Sequence, residues 1–111
     1  RMLKIEKEPK FWAEVLVQTP VDDGHREDSF RVRFKVQSAE MVEKYDTRFG
    51  SPDLKDFLKA TVVDLTDIED ENANALPYND ELLDTLLGNY GARLAMWNTY
   101  ITAVTKARSG N

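Results

Sequence analysis

Apolar and polar residues alternate with a period of two in two places near the start of the chain. Phe11, Ala13, Val15 and Val17 interleave with Trp12, Glu14, Leu16 and Gln18. Phe30, Val32, Phe34 and Val36 interleave with Arg31, Arg33, Lys35 and Gln37. Such alternation marks half-buried strands. Between them Thr19-Pro20 is expected to interrupt the first strand, because proline has no N–H for a ladder. A polar loop over residues 21–28 follows, with an Asp23-Gly24 turn signal. The pair reads as an antiparallel β-hairpin over about residues 11–37. A lone hairpin is marginal in water, so helices must cover its apolar face.

The pattern then changes to helical. Ser38 caps a short segment containing Met41, Val42 and Tyr45, and Gly50 ends it. Ser51-Pro52-Asp53 is a helix start: a capping hydroxyl, a proline with its φ preset, and an acid at the positive dipole end. Leu54, Phe57, Leu58, Val62 and Leu65 fall on one helical stripe. Thr61-Val62-Val63 is β-branched and suits a strand as well, but the preceding periodicity favours continued helix. Residues 67–76 form an acidic, Asn-rich loop. Asn79 caps a helix holding Leu82, Leu83, Leu86 and Leu87. Gly88 and Gly91 bracket a break. A last helix from about Ala92 to Lys106 carries Leu94, Trp97, Ile101 and Val104, with Tyr90 and Tyr100 near the stripe, and residues 109–111 fray. The expected fold is α+β: a single domain over 1–111, with the N-terminal hairpin packed on a mainly helical part over about 38–108.

Composition narrows the function. The 111 residues are 41% hydrophobic, enough for one core. The net charge is −5, which disfavours phosphate-backbone binding and anionic membrane surfaces. Residues 1–63 hold 12 basic and 12 acidic side chains, whereas residues 64–111 hold 3 and 8, so the acidity lies in the second half. Zero cysteines exclude disulfides and thiolate chemistry. No apolar run is long enough to span a bilayer, and the first residues lack a signal-peptide core. Met2 reads as the natural start, and the chain as soluble and not exported.

Candidate chemistry is sparse. His25, beside Asp22, Asp23 and Asp28, reads as a solvated loop histidine rather than a catalytic base. Asp70, Asn72, Asn74 and Glu81 have the spacing of an EF-hand loop. Ala75 stands at its glycine position, and Pro77 removes a backbone donor, so no metal site is expected there. The row Arg31, Arg33 and Lys35 suits an acidic partner, or equally a solvated strand face. Its sign is complementary to the acidic residues 67–71, which makes head-to-tail self-association an expectation. Tyr90, Trp97 and Tyr100 read either as interface anchors or as core. Trp12 faces away from Phe11 and Val15, which singles it out as a partner-binding aromatic. No catalytic residue and no cofactor are expected, and the chain reads as non-enzymatic.

Four stretches in order resemble the tail assembly chaperones of lambda-like, long-tailed bacteriophages. They are Phe11-Trp12-Ala13-Glu14-Val15-Leu16-Val17 with its Pro-Asp-Gly loop; Ser29-Phe30-Arg31-Val32-Arg33-Phe34; the segment 57–67 with the acidic loop, Ala75-Leu76-Pro77-Tyr78-Asn79 and the leucines to Leu87; and Tyr90-Gly91-Ala92-Arg93-Leu94 through Tyr100 and a basic tail. Family members often carry a glycine in the acidic loop, where this chain has Ala73 or Ala75. The resemblance implies a phage or prophage protein that binds the tape measure protein and the major tail protein. It would act in the bacterial cytoplasm and be absent from the finished virion. Two other readings stand beside it: a structural tail-completion or connector protein, and a calcium-binding regulatory module on residues 70–81.

Overall fold

A computed structural model describes residues 1–48 and 51–105. The two alternating segments form β1 (Lys10–Val21) and β2 (Gly24–Lys35), joined by a turn at Asp22-Asp23. They pair antiparallel from Lys10↔Lys35 to Val21↔Gly24. Pro20 does not interrupt β1 as the sequence suggested. It lies on an edge strand, where an N–H aimed away from β2 is no loss. The turn signal is shifted too: Asp23, at φ 58°, takes the left-handed position, and Gly24 starts β2.

Ser38 caps α1 (Ala39–Lys44), its Oγ accepting the Met41 N–H at 3.2 Å. Next comes α2 (Asp53–Thr61), with Pro52 already at helical dihedrals and Ser51 Oγ accepting the Asp53 N–H at 3.2 Å. The helix then stops, and residues Val62–Thr66 form β3, pairing antiparallel with β2 in the sheet order β1-β2-β3. This corrects the helical expectation for Thr61-Val62-Val63 and adds a strand to the part expected to be helical. Val62 and Leu65 are buried, but as strand residues opposite Phe34 and Val32. Val63 is the extra residue of a bulge facing Arg33/Phe34. A β-branched pair beside an open strand edge gains ladder bonds that a longer helix would not supply.

Residues 67–76 fold back on themselves, with Leu76 N–H donating to Ile68 O at 2.8 Å. Asn79 Oδ1 accepts the Leu82 N–H at 2.8 Å and caps α3 (Asp80–Leu87). The break falls at Gly88-Asn89 alone, because α4 (Tyr90–Thr105) already contains Gly91. α1 ends at Lys44, with Tyr45 already extended, short of the expected end at Gly50; Gly50, Lys106 and the fraying at 109–111 lie outside the described residues.

The core sits between the sheet and the helices. Val15, Phe30, Val32, Phe34, Val62 and Leu65 face Leu54, Phe57, Leu58, Leu83, Leu87, Met96 and Tyr100. Fully burying one such side chain contributes about 1.5–3 kcal/mol. α4 buries Ala92, Met96 and Tyr100, one turn apart, rather than the stripe through Val104, which is 39% exposed. Val36 also departs from its alternation. The β2 ladder ends at Lys35, Val36 N–H donates to Pro9 O at 2.9 Å, and its side chain is 40% exposed.

Candidate functional site: the open face of the sheet

Because strand side chains alternate, the residues that fill the core leave a second set on the opposite face. On β1 this set contains Trp12, Glu14, Leu16 and Gln18, and on β2 it contains Lys35, Arg33, Arg31 and Ser29. The core residues of the helices meet the inner face, while Trp12, Glu14, Leu16, Gln18, Ser29, Arg31 and Arg33 on the outer face are exposed. An antiparallel sheet with a solvated face normally shows polar side chains there. Here Trp12 is 38% exposed and Leu16 49%.

The register places cations around the indole. Trp12 lies opposite Arg33, and Glu14 opposite Arg31. The Arg31 guanidinium carbon stands 6.0 Å from the centroid of the Trp12 ring. Such a contact contributes about 0.5–1 kcal/mol at an exposed site. Among the described residues, ion pairs join Arg26 to Asp28, Arg48 to Asp46, and Asp84 to both Lys55 and Lys59. Arg31, Arg33 and Lys35 take part in none of these.

The structure thus gathers Trp12, Arg31 and Arg33 on one surface, with Lys35 half-buried at its end. It packs two of the remaining aromatics, Tyr100 and Trp97, against the core instead. Tyr100 is 1% exposed, and its hydroxyl accepts the Gln37 backbone N–H at 3.0 Å. It is a core residue, not a surface anchor. Trp97 is half-buried, edge-on to Phe57 at 5.6 Å. Tyr90, at the start of α4, is 48% exposed.

Leu16 is the residue that sequence reading passed over. It shares the parity of Trp12, so the alternation itself held the signal. Beside it, Glu14, Leu16 and Gln18 face Gly91, Leu94, Ala95, Asn98 and Thr99 of α4 across an open cleft of about 470 Å³.

The remaining candidates fall elsewhere. His25 is exposed in β2, next to the turn. The Asp70 carboxylate braces its own turn: Oδ1 accepts the N–H groups of Asn72 at 2.8 Å and Asn74 at 3.0 Å. These bonds hold its pKa below the ordinary value. Glu81 lies in the first turn of α3. Among the described residues, no group of three or more His, Cys, Asp or Glu side chains is set to hold a metal ion, and no helix is long and apolar enough to cross a membrane. Burial, with Asp80 and Asp64 nearby, pushes the Tyr78 hydroxyl pKa up. Comparison with protein-family models, curated proteins and solved structures returned no match to this chain.

Proposed function

We propose that this chain is a non-enzymatic protein-binding module, a tail assembly chaperone of a long-tailed bacteriophage or prophage, which holds its client on the open face of the sheet. The observation that carries the reading is that face: an exposed Trp12 and Leu16 beside two arginines that take part in none of the ion pairs formed among the described residues. Interfaces draw most of their affinity from a few buried aromatic and arginine anchors, and Trp12 with Arg31 and Arg33 has that composition. The ordered resemblance along the chain supplies the class of client, a tape measure protein, with the major tail protein as second partner. The site of action is the bacterial cytoplasm, before the tail is complete.

The test is co-expression with the tape measure protein encoded beside this gene. The client is expected to stay soluble and to co-purify with the chain, and Trp12→Ala is expected to weaken that complex about tenfold or more. A client equally soluble with and without the chain, and never co-purifying, overturns the proposal. So does finding the chain as a stoichiometric component of purified particles.

A further inference from the structure

We propose that residues 1–8 are a strap that folds back over the outer face of β1 and β2, covers Trp12 and Leu16, and is displaced when the client binds. The inference rests on the reading of that face as the client site. Residues 1–8 belong to no helix or strand, and every one of them is exposed. Met2, Leu3 and Ile5 are 92%, 89% and 90% exposed. Three large apolar side chains left in water within one short arm favour any conformation that buries them. The hollow in the arm's own curve, about 570 Å³, is lined by Arg1, Met2, Leu3, Lys4 and Glu6 and gives them no core.

Connectivity and length choose the place. The Val36 N–H donates to Pro9 O at 2.9 Å, which fixes the root of the arm at the end of the sheet. The chain bends at Lys7 and Glu8, just before that anchor. The inner face of the sheet is filled by the helices, so an arm turned back there meets the outer one. Residues 1–6, extended, reach about 20 Å, which matches the run of β1 from Lys10 to Leu16, about 20 Å. An antiparallel return about Pro9 sets Met2 level with Leu16, Lys4 with Glu14, Glu6 with Trp12 and its neighbour Arg33, and Glu8 with Lys10 and Lys35. Each level joins opposite charges or two apolar side chains, and Leu3 and Ile5 fall between them. Apolar contact holds the strap, while the charges set its register. The client then meets a free face only for the fraction of time the strap is open, and its apparent affinity is reduced by that fraction.

The chain has no cysteine, so Arg1→Cys takes a single nitroxide label. In the full chain alone, without any client, the label is expected to broaden the NMR signals of the Leu16 methyl groups and of the Gln18 and Ser29 amides. The same label on a Leu3→Ser/Ile5→Ser chain is expected to lose most of that broadening, with an unchanged circular dichroism spectrum because the arm lies outside the core. Glu6→Lys/Glu8→Lys is expected to reduce it too, through repulsion from the cationic row. Binding of the tape measure protein to the serine variant is expected to be about fivefold tighter than to the wild type. Broadening that falls on another surface, or that persists in the serine variant, overturns the strap. So does a serine variant that holds the client no more tightly than the wild type. The labelling measurement needs no client, so the two readings fail separately. Client binding without docking of the arm removes the strap and leaves the proposed function standing, whereas a docked arm on a chain that ignores the tape measure protein overturns that function and the displacement with it.

Discussion

Replacing Tyr100 by phenylalanine removes one oxygen and leaves the packing in place. The ring keeps its neighbours: Phe34 at 5.3 Å, Phe57 at 5.6 Å, Trp97 at 6.2 Å and Phe11 at 6.3 Å between centroids. What is lost is the acceptor for the Gln37 backbone N–H. An unsatisfied buried donor costs about 1–3 kcal/mol. Gln37 is half-buried, so water reaches its N–H in part, and the lower end of about 1–1.5 kcal/mol applies. For a domain of this length that lowers the melting temperature by about 4–6 °C. Tyr100→Ala, by contrast, removes the ring from the centre of the aromatic cluster and is expected to cost about 3–5 kcal/mol. Against a total stability of about 5–15 kcal/mol, that leaves the fold marginal. Thermal and urea denaturation followed by circular dichroism measure both. A Tyr100→Phe protein as stable as the wild type refutes the hydrogen-bond argument. One that melts normally but no longer holds its client would place the hydroxyl at an interface instead of in the core.

Acid is expected to destabilise the fold only below the usual carboxylate range. The Arg48 side chain and backbone N–H hold Asp46 at about 2, the Asn74 and Asn72 N–H groups lower Asp70, and the Lys59 ammonium, bonded to the carboxylate, lowers Asp84. All three are depressed in the folded state, so their stabilisation is present above the ordinary value of 3.8 and is lost as pH falls towards 2. Urea midpoints are therefore expected to be flat from about pH 7 to pH 5 and to drop below about pH 4; a midpoint that holds steady or rises on acidification contradicts this. Ala73 sits at φ 63°, where a Cβ is strained. Ala73→Gly is accordingly expected to stabilise the chain by about 0.5–1 kcal/mol in urea denaturation, and a destabilised variant would show that the turn is not strained there.

Much of the fold was legible because its signals are local. Caps at Ser38 and Asn79 act over three residues, and each is found bonded as its sequence implies. The parity of the two strands follows from the chain's own geometry, so Trp12 could be placed opposite the core before any neighbour was known. The binding candidates on α4 were harder to read. Between Tyr90 and Thr105 only Arg93 is charged, so no polar face marks which side turns outward. Tyr100 looked as available as Tyr90 until its neighbours were in place. The strained position in the acidic turn was similarly ambiguous. Spacing drew attention to Ala75, whereas the backbone puts the positive φ at Ala73.

The sequence by itself determined which residues of β1 and β2 share a face, where α1 and α3 begin, and that acidity gathers after residue 63. Each depends on periods and contacts within a few residues. Tertiary structure alone decided that Val62 leaves the helix. The edge of β2 opposite β1 was available, and ladder bonds to a distant strand outweighed a periodicity that helix and strand both satisfied. It decided the rotation of α4, because only the surfaces it packs against distinguish Met96 and Tyr100 from Trp97 and Ile101. It also decided that the Trp12 face stays open. Alternation assigns a side chain to one side of a sheet, but whether a helix lies on that side depends on where the whole chain runs.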